Sequence, residues 1–458
     1  MRLRRDGALS ALFGAFCLSL PAEAQYTSAR ISLTAAGTYT KSVTDAERPG
    51  SLIYSGPSLS LSPSGVLLFD TPLTTHTLTY AFTLNVPFAK GLDGERPPLT
   101  YGNRLTYAGS YEFSELTSMS ISLTLNQSPL RALAVAADPS QTQLDPVPGA
   151  AAYLLSAGGQ ESISHQLSSS LALMQSNGIN VMKADDPVRG IRSRTISVMN
   201  GLNLDKSLEV DTVGLSLMLM TSHFASAVSA DAPLTMPRTQ LAGTLAATWS
   251  RPLTPSLTCS AQLGVTQVVS PAQETPQGPK PFGTSVQPTG HAMLSYGLDP
   301  AVISLTYAHM TAPNLVTSSL NFTDTATLRF NVPIGVTGLI ASGSGGFTHM
   351  TPIGSGSSPM NMLLADASLS WRPQAAQSLT ISLRGQVQRQ MMTGDVDNGF
   401  ARFSTSLSLS YSYPSADAAQ VSPQMPPALG ATPYVPGAAG ELPSPRPYEV
   451  PADDTPAR

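Results

Sequence analysis

Residues 401–414 read Ala-Arg-Phe-Ser-Thr-Ser-Leu-Ser-Leu-Ser-Tyr-Ser-Tyr-Pro. Phe403, Leu407, Leu409, Tyr411 and Tyr413 fall on one side of a two-residue period, with Thr405 the only polar member. Ser404, Ser406, Ser408, Ser410 and Ser412 fall on the other. A period of two is that of a β-strand, whose successive side chains point to opposite faces of the sheet. In a soluble sandwich the polar face would carry Lys and Glu. Here it is uncharged hydroxyl, and the apolar face ends in two aromatic rings. That pattern predicts a strand with lipid outside, an aqueous lumen inside and an aromatic girdle at the membrane interface. The reading depends on finding the same strand many times.

The alternation recurs from the N-terminal region onward. Ile31, Leu33, Ala35 and Tyr39 alternate with Arg30, Ser32, Thr34, Ala36 and Thr38; Leu78, Tyr80, Phe82, Leu84 and Val86 alternate with Thr77, Thr79, Ala81, Thr83 and Asn85. Leu105, Tyr107, Tyr111 and Phe113 alternate with Arg104, Thr106, Ser110 and Glu112, and Met119, Ile121, Leu123 and Leu125 with Ser and Thr. Leu215-Leu217-Leu219, Leu241-Leu245-Ala247-Trp249, Ile303-Leu305-Tyr307, Ala326-Leu328-Phe330 and Leu379-Ile381-Leu383 continue it. Many runs cover roughly 9 to 13 residues, against about 5 or 6 for globular strands and about 9 to 11 for strands that cross a bilayer.

The connections also alternate. Short ones fall at 71–74, 114–118, 251–256, 299–301, 333–335 and 372–378; long ones fall at 42–55, 89–103, 132–148, 222–238, 270–288 and 348–361. Strands running into the short turns end on Phe69, Phe113, Trp249, Tyr296, Phe330, Trp371 and Tyr413, all on the apolar face, and proline usually follows. Core aromatics would not choose one end of alternate strands. An interfacial belt of amphipathic rings would.

Arg2, Arg4 and Arg5 precede an apolar run from Ala8 to Leu20, and Ala22-Glu23-Ala24 supplies a small-x-small site before Gln25. Residues 1–24 therefore read as a secretory signal peptide. Cys259 would be the one cysteine left after its removal, so no internal disulfide is expected. No later apolar run reaches the length of a transmembrane helix. The net charge of −4 supplies no basic face for nucleic acid. Residues 25–413 are thus expected to form one closed antiparallel transmembrane β-barrel, an all-β fold.

Both ends of such a barrel should lie on the short-turn side, which requires an even strand count. About seventeen segments are plain. The rhythm between Leu125 and Leu202 is restored if 151–156 and 162–174 are two strands joined by a turn at 157–161, giving about 18 strands, with 16 as the alternative. At ~4.8 Å spacing and ~40° tilt, 18 strands give a backbone radius of about 18 Å. Residues 414–458 carry ten prolines from Pro423 to Pro456 and little to bury. They are expected to be a disordered periplasmic tail, a linker or else a docking peptide for a periplasmic partner.

The chain resembles bacterial outer-membrane β-barrels as a class, over residues 25–413. Leu407-Ser-Leu-Ser-Tyr-Ser-Tyr413 looks like the aromatic-ended last strand that barrel-assembly machinery recognises, although 45 residues follow it here. In strand number the chain is also similar to alginate-export and substrate-specific porin barrels. The resemblance implies outer-membrane lipids and the assembly machinery as partners.

No catalytic motif of the H-E-x-x-H, G-x-x-x-x-G-K-[ST] or G-x-S-x-G kind is present, and six histidines are scattered. Neither an enzyme, a metal site nor a cofactor is expected. Asp395-Val-Asp397-Asn398-Gly399 lacks the later acidic ligands of a calcium loop and reads as a hairpin turn. The inward face is mainly Ser, Thr, Ala, Gly and Gln, with charges expected at Arg30, Arg104, Glu112, Arg329, Asp366 and Arg384. A turn over 372–378 that sets Trp371 opposite Leu379 would pair Asp366 with Arg384. Three functions fit such a barrel: passive porin-like passage of small neutral or hydroxyl-rich solutes, exit of a secreted exopolysaccharide, and structural or surface display. A porin would fold a long loop inward as a constriction, for which 132–148 is the candidate.

Overall fold

The computed structural model describes residues 26–44, 55–89, 99–130, 152–186, 191–227, 238–271, 273–275, 278–280, 283–298, 301–314, 319–335, 338–353, 359–392 and 400–413. The signal peptide, the tail and the 395–399 turn expected from the sequence lie outside them.

Along the chain come β1 (Tyr26–Thr44), β2 (Ser55–Asp70), β3 (Thr74–Pro87), β4 (Thr100–Ser114), β5 (Thr117–Leu130), β6 (Ala152–Ser168) and β7 (Leu171–Asp186). Next are β8 (Ile191–Ser207), β9 (Thr212–Ala227), β10 (Arg238–Thr254), β11 (Leu257–Ser270) and the short β12 (Gln273–Thr275) and β13 (Gly278–Lys280). β14 (Gly283–Leu298), β15 (Ala301–Asn314), β16 (Ser319–Pro333), β17 (Leu339–Pro352), β18 (Met360–Trp371), β19 (Leu379–Met392) and β20 (Phe400–Tyr413) complete the series.

Eighteen of these strands form one sheet in which each pairs antiparallel with its neighbour in sequence, β11 passing directly to β14. β20 pairs back onto β1, from Ile31 opposite Tyr413 to Thr44 opposite Phe400, so no edge is left open. β12 and β13 make a separate ribbon. Closure satisfies every ladder hydrogen bond within the protein, which a bilayer requires.

Outward side chains of β20 are apolar and open, Leu407 at 59 % and Leu409 at 48 % exposure, while inward Ser404 is 5 % exposed. The same apolar coat runs around the wall. Hydrocarbon exposed on this scale belongs against lipid rather than water. An even-stranded barrel whose first and last strands start and finish on the short-turn side has the plan of a bacterial outer-membrane protein, and that is where this chain resides. The strands run 12 to 19 residues, longer than a crossing needs, so the wall projects beyond the bilayer.

Two details differ from the sequence reading. The turn expected at 157–161 is the middle of β6, where Ala157, Gly158 and Gly159 pair with Leu125, Thr124 and Leu123. Gly159 marks close packing, not a reversal: a Cβ on it would lie 3.0 Å from the Leu123 methyl group. The chain reverses instead at Ser169 and Ser170, where the Ser170 N–H donates to Ser168 Oγ at 3.3 Å. The second difference is register. Trp371 faces Ile381, not Leu379. A 3₁₀ turn at Gln374–Ala376, with Arg372 Nε donating to the Gln377 carbonyl at 2.7 Å, lets β19 slide two residues. A slip of two keeps every side chain on its own face, whereas a slip of one would invert them.

Gly338 closes the turn before β17 at φ +80°, and its carbonyl accepts the Arg372 N–H at 2.8 Å. An added Cβ there would strike the Arg372 carbonyl oxygen, so only glycine fits.

Candidate functional site: the lumen

The lumen wall has two zones. Toward the short turns, inward hydroxyls bond across the ladders: Ser32 to Ser64 at 2.5 Å, Thr34 to Ser410 at 2.9 Å, Ser120 to Ser162 at 2.7 Å. Ser342–Ser368 at 2.7 Å and Ser370–Ser382 at 2.9 Å continue the seam on the other side. A hydroxyl that donates to its neighbour keeps an acceptor lone pair for whatever occupies the bore. The wall is therefore polar without being charged.

The six charges read from the sequence are not evenly spread. Arg30 donates to Ser412 Oγ at 3.2 Å. Arg104 lies between Ala81 and Asn126, and Glu112 is exposed near the end of β4. Arg329, Asp366 and Arg384 come together in a wall recess of about 500 Å³, lined also by Ser304, Thr327 and Gln386. In register, Arg329 faces Ser344, and Ser344 faces Asp366 and donates a hydrogen bond to it. Arg384 Nη2 lies 3.8 Å from Asp366 Oδ2. That pair forms diagonally, because long side chains span the two-residue offset. Both partners face water, so it contributes no more than about 1 kcal/mol.

Sequence reasoning missed four inward charges among the described residues, one of them Arg238, which faces inward Phe224 across the β9–β10 ladder. Asp70 accepts from Thr75 Oγ1 at 2.8 Å, Asp205 accepts from Thr248 Oγ1 at 3.4 Å, and Arg402 is buried at 3 % exposure. Extending the alternation of β2, β8, β10 and β20 to their ends would have found them.

The long-loop zone is narrowed from within. Met220, Phe224, Ala242 and Val268 point inward, and they pack with Leu320 and Phe322 of β16, with Met199 and Ile353 alongside. β16 stands four places from β10 around the wall, yet the Leu320 N–H donates to Gln240 Oε1 at 2.6 Å. Gln240 Nε2 donates to Ser270 Oγ at 3.0 Å and to the Ile353 carbonyl at 3.4 Å. Strands this far apart can touch only if the wall leans in. The ends of β15–β17 therefore cross the bore and seat against the β8–β11 side. Residues 320–323 are all buried, so neither face of that tip meets lipid or open water. The 132–148 segment expected to form the constriction lies outside the described residues. The readable signal was on β9: Met218, Met220 and Phe224 occupy the face that should carry hydroxyls.

The belt rings Phe69, Phe113, Trp249, Tyr296, Phe330, Trp371 and Tyr413 all lie toward the short-turn end of their strands. Trp249 Nε1 donates to Asp211 Oδ1 at 3.0 Å, and Tyr111 stacks on Phe113 with centroids 6.3 Å apart.

His309 Nδ1 lies 2.7 Å from Asp324 Oδ1, and Tyr307 donates to the same oxygen at 2.8 Å. Among the described residues no partner bonds His309 Nε2. Among the described residues no group of three His, Cys, Asp or Glu could hold a metal ion.

No protein-family model matches the sequence, and no curated protein matches it. Solved structures similar to the chain include OccK2 (OpdF) of Pseudomonas aeruginosa, in complex with glucuronate, at 14 % identity and a TM-score of 0.40, covering 84 % of this chain and 98 % of that one. OccAB3 of Acinetobacter baumannii follows at 10 % identity and 0.42, covering 84 % and 99 %. A BenF-like porin from Pseudomonas fluorescens Pf-5 is similar at 12 % identity and 0.43, covering 84 % and 98 %.

Proposed function

We propose that the chain is a passive outer-membrane channel for small neutral or hydroxyl-rich solutes, narrowed at its long-loop end by the tips of β15–β17. The observation that carries this reading is the hydroxyl-seamed wall of the short-turn zone, best seen in the Ser32–Ser64 and Ser342–Ser368 pairs. Such a wall exchanges hydrogen bonds with a polyol as water does, and each exchange is worth only about 0.5–1.5 kcal/mol. Solutes can enter and leave without being trapped. Inward charges of both signs oppose each other, so neither cations nor anions meet a strong field, and salt screens what remains within ~8–10 Å.

Purified protein in planar bilayers is expected to conduct with a reversal potential near zero in a salt gradient, and neutral saccharides should swell loaded liposomes. Strong selectivity for either ion sign, or liposomes that admit salt but no saccharide, would overturn the neutral-lumen reading. Absence of any conductance would favour a structural barrel.

The recess offers a sharper check. Replacing Asp366 by Asn leaves Arg329 and Arg384 facing the bore with no carboxylate between them. The reversal potential should then shift toward anions by several millivolts, while barrel stability falls by no more than about 1 kcal/mol. An unchanged reversal potential would mean that ions do not pass this part of the wall.

A further inference from the structure

The lipid-facing coat is interrupted on one side. On β6, β7 and β8 the outward positions include Glu161, Asn177 and Asn200, which stand directly opposite one another in the ladder. Gln175 lies beside them on the same face. None of the four makes a side-chain hydrogen bond or ion pair among the described residues.

Their depth is what matters. Asn177 is seven residues beyond the Ser169–Ser170 turn and Asn200 eight before Leu208, which places the strip about 18 Å above the short turns. Six residues farther along, outward Lys183 and Arg194 face each other and mark the upper polar rim. The strip therefore lies within the hydrocarbon layer. At comparable heights the other strands present Leu219, Leu245, Leu263, Leu305, Leu383 or Leu407. A carboxyl group and amides facing lipid would be left without hydrogen-bond partners, which is costly in hydrocarbon.

We infer that the β6–β8 face is an intramembrane interface between two copies of this chain. The chemistry selects a second copy. Each amide both donates and accepts, and the carboxyl supplies further acceptors, so the strip is complementary to itself. A two-fold axis through Asn177 sets the Glu161 side of one copy against the Asn200 side of the other, as a closed isologous contact requires. This inference does not depend on what the lumen passes.

The test uses the protein in native outer membrane, with Cys259→Ser to remove the other thiol. Asn177→Cys in this background should give an oxidative dimer at twice the monomer mass. Ala367→Cys, on the opposite wall in outward-facing β18, should give none. Wild-type barrel extracted in mild detergent should have the native mass of a dimer. The combined variant Glu161→Leu, Asn177→Leu and Asn200→Leu should run as a monomer and keep the heat-modifiable mobility of a folded barrel. The wild-type mass decides whether copies pair, and the crosslink decides whether they pair through this face. A monomeric wild type, equal crosslinking at both sites, an adduct of another mass, or a dimer that survives the leucine replacements would each overturn the inference.

Discussion

Replacing Leu320 and Phe322 by serine is expected to raise the single-channel conductance by at least about threefold. An empty 18-stranded barrel has a backbone radius of about 18 Å and would hold a wide aqueous bore. The tip of β16 occupies that space because two apolar side chains enter an inward cluster of Met220, Phe224, Ala242 and Val268. Burying a side chain of this size contributes about 1.5–3 kcal/mol, so two together outweigh the single Gln240 bond to the Leu320 N–H. Serines there forfeit the burial, and the tip should swing out while the ladders below it keep the barrel closed. Gln240→Ala should open the channel less. Single-channel recordings on the two variants and the wild type check this. Equal conductance in all of them would mean that the tip does not limit flow.

The second large effect concerns the wall. Leu407→Arg should destabilise the folded barrel by about 2–4 kcal/mol, because outward Leu407 lies at membrane depth, six residues from Tyr413. Ser408→Arg, one residue away, should cost less than about 1 kcal/mol, since Ser408 faces the aqueous side and gives up only a weak 3.4 Å bond to the Ser382 carbonyl. Urea unfolding in liposomes or detergent measures both. Equal costs would contradict the assignment of faces on β20. The pair isolates the effect of direction, since the substituent is the same and the positions are adjacent.

The strands, their faces and the side on which the short turns lie were legible because each follows from local periodicity. Phe403 to Tyr413 alone shows which face meets lipid, and the belt from Phe69 to Tyr413 shows which end is which. The Gly158-Gly159 pair misled the turn assignment because glycine marks either a reversal or a close packing site. Only the partner strand, with Leu123 against Gly159, distinguishes the two. The Asp366–Arg384 pair was legible for a related reason: a two-residue error in register preserves the face, and long side chains cover the offset.

What the sequence by itself determined was the even-stranded closed barrel, the hydroxyl lumen and the apolar coat, because alternation is a property of neighbouring residues and survives errors in pairing. The tertiary structure alone decided that Leu320 and Phe322 reach Gln240 and Phe224, that Arg329, Asp366 and Arg384 share one recess, and that Glu161, Asn177 and Asn200 align in one strip. Each of these depends on distances around the wall, and those are set by closure and register across many strands. The alternating pattern places each residue inside or outside, but its position around the ring appears only once the ring is closed.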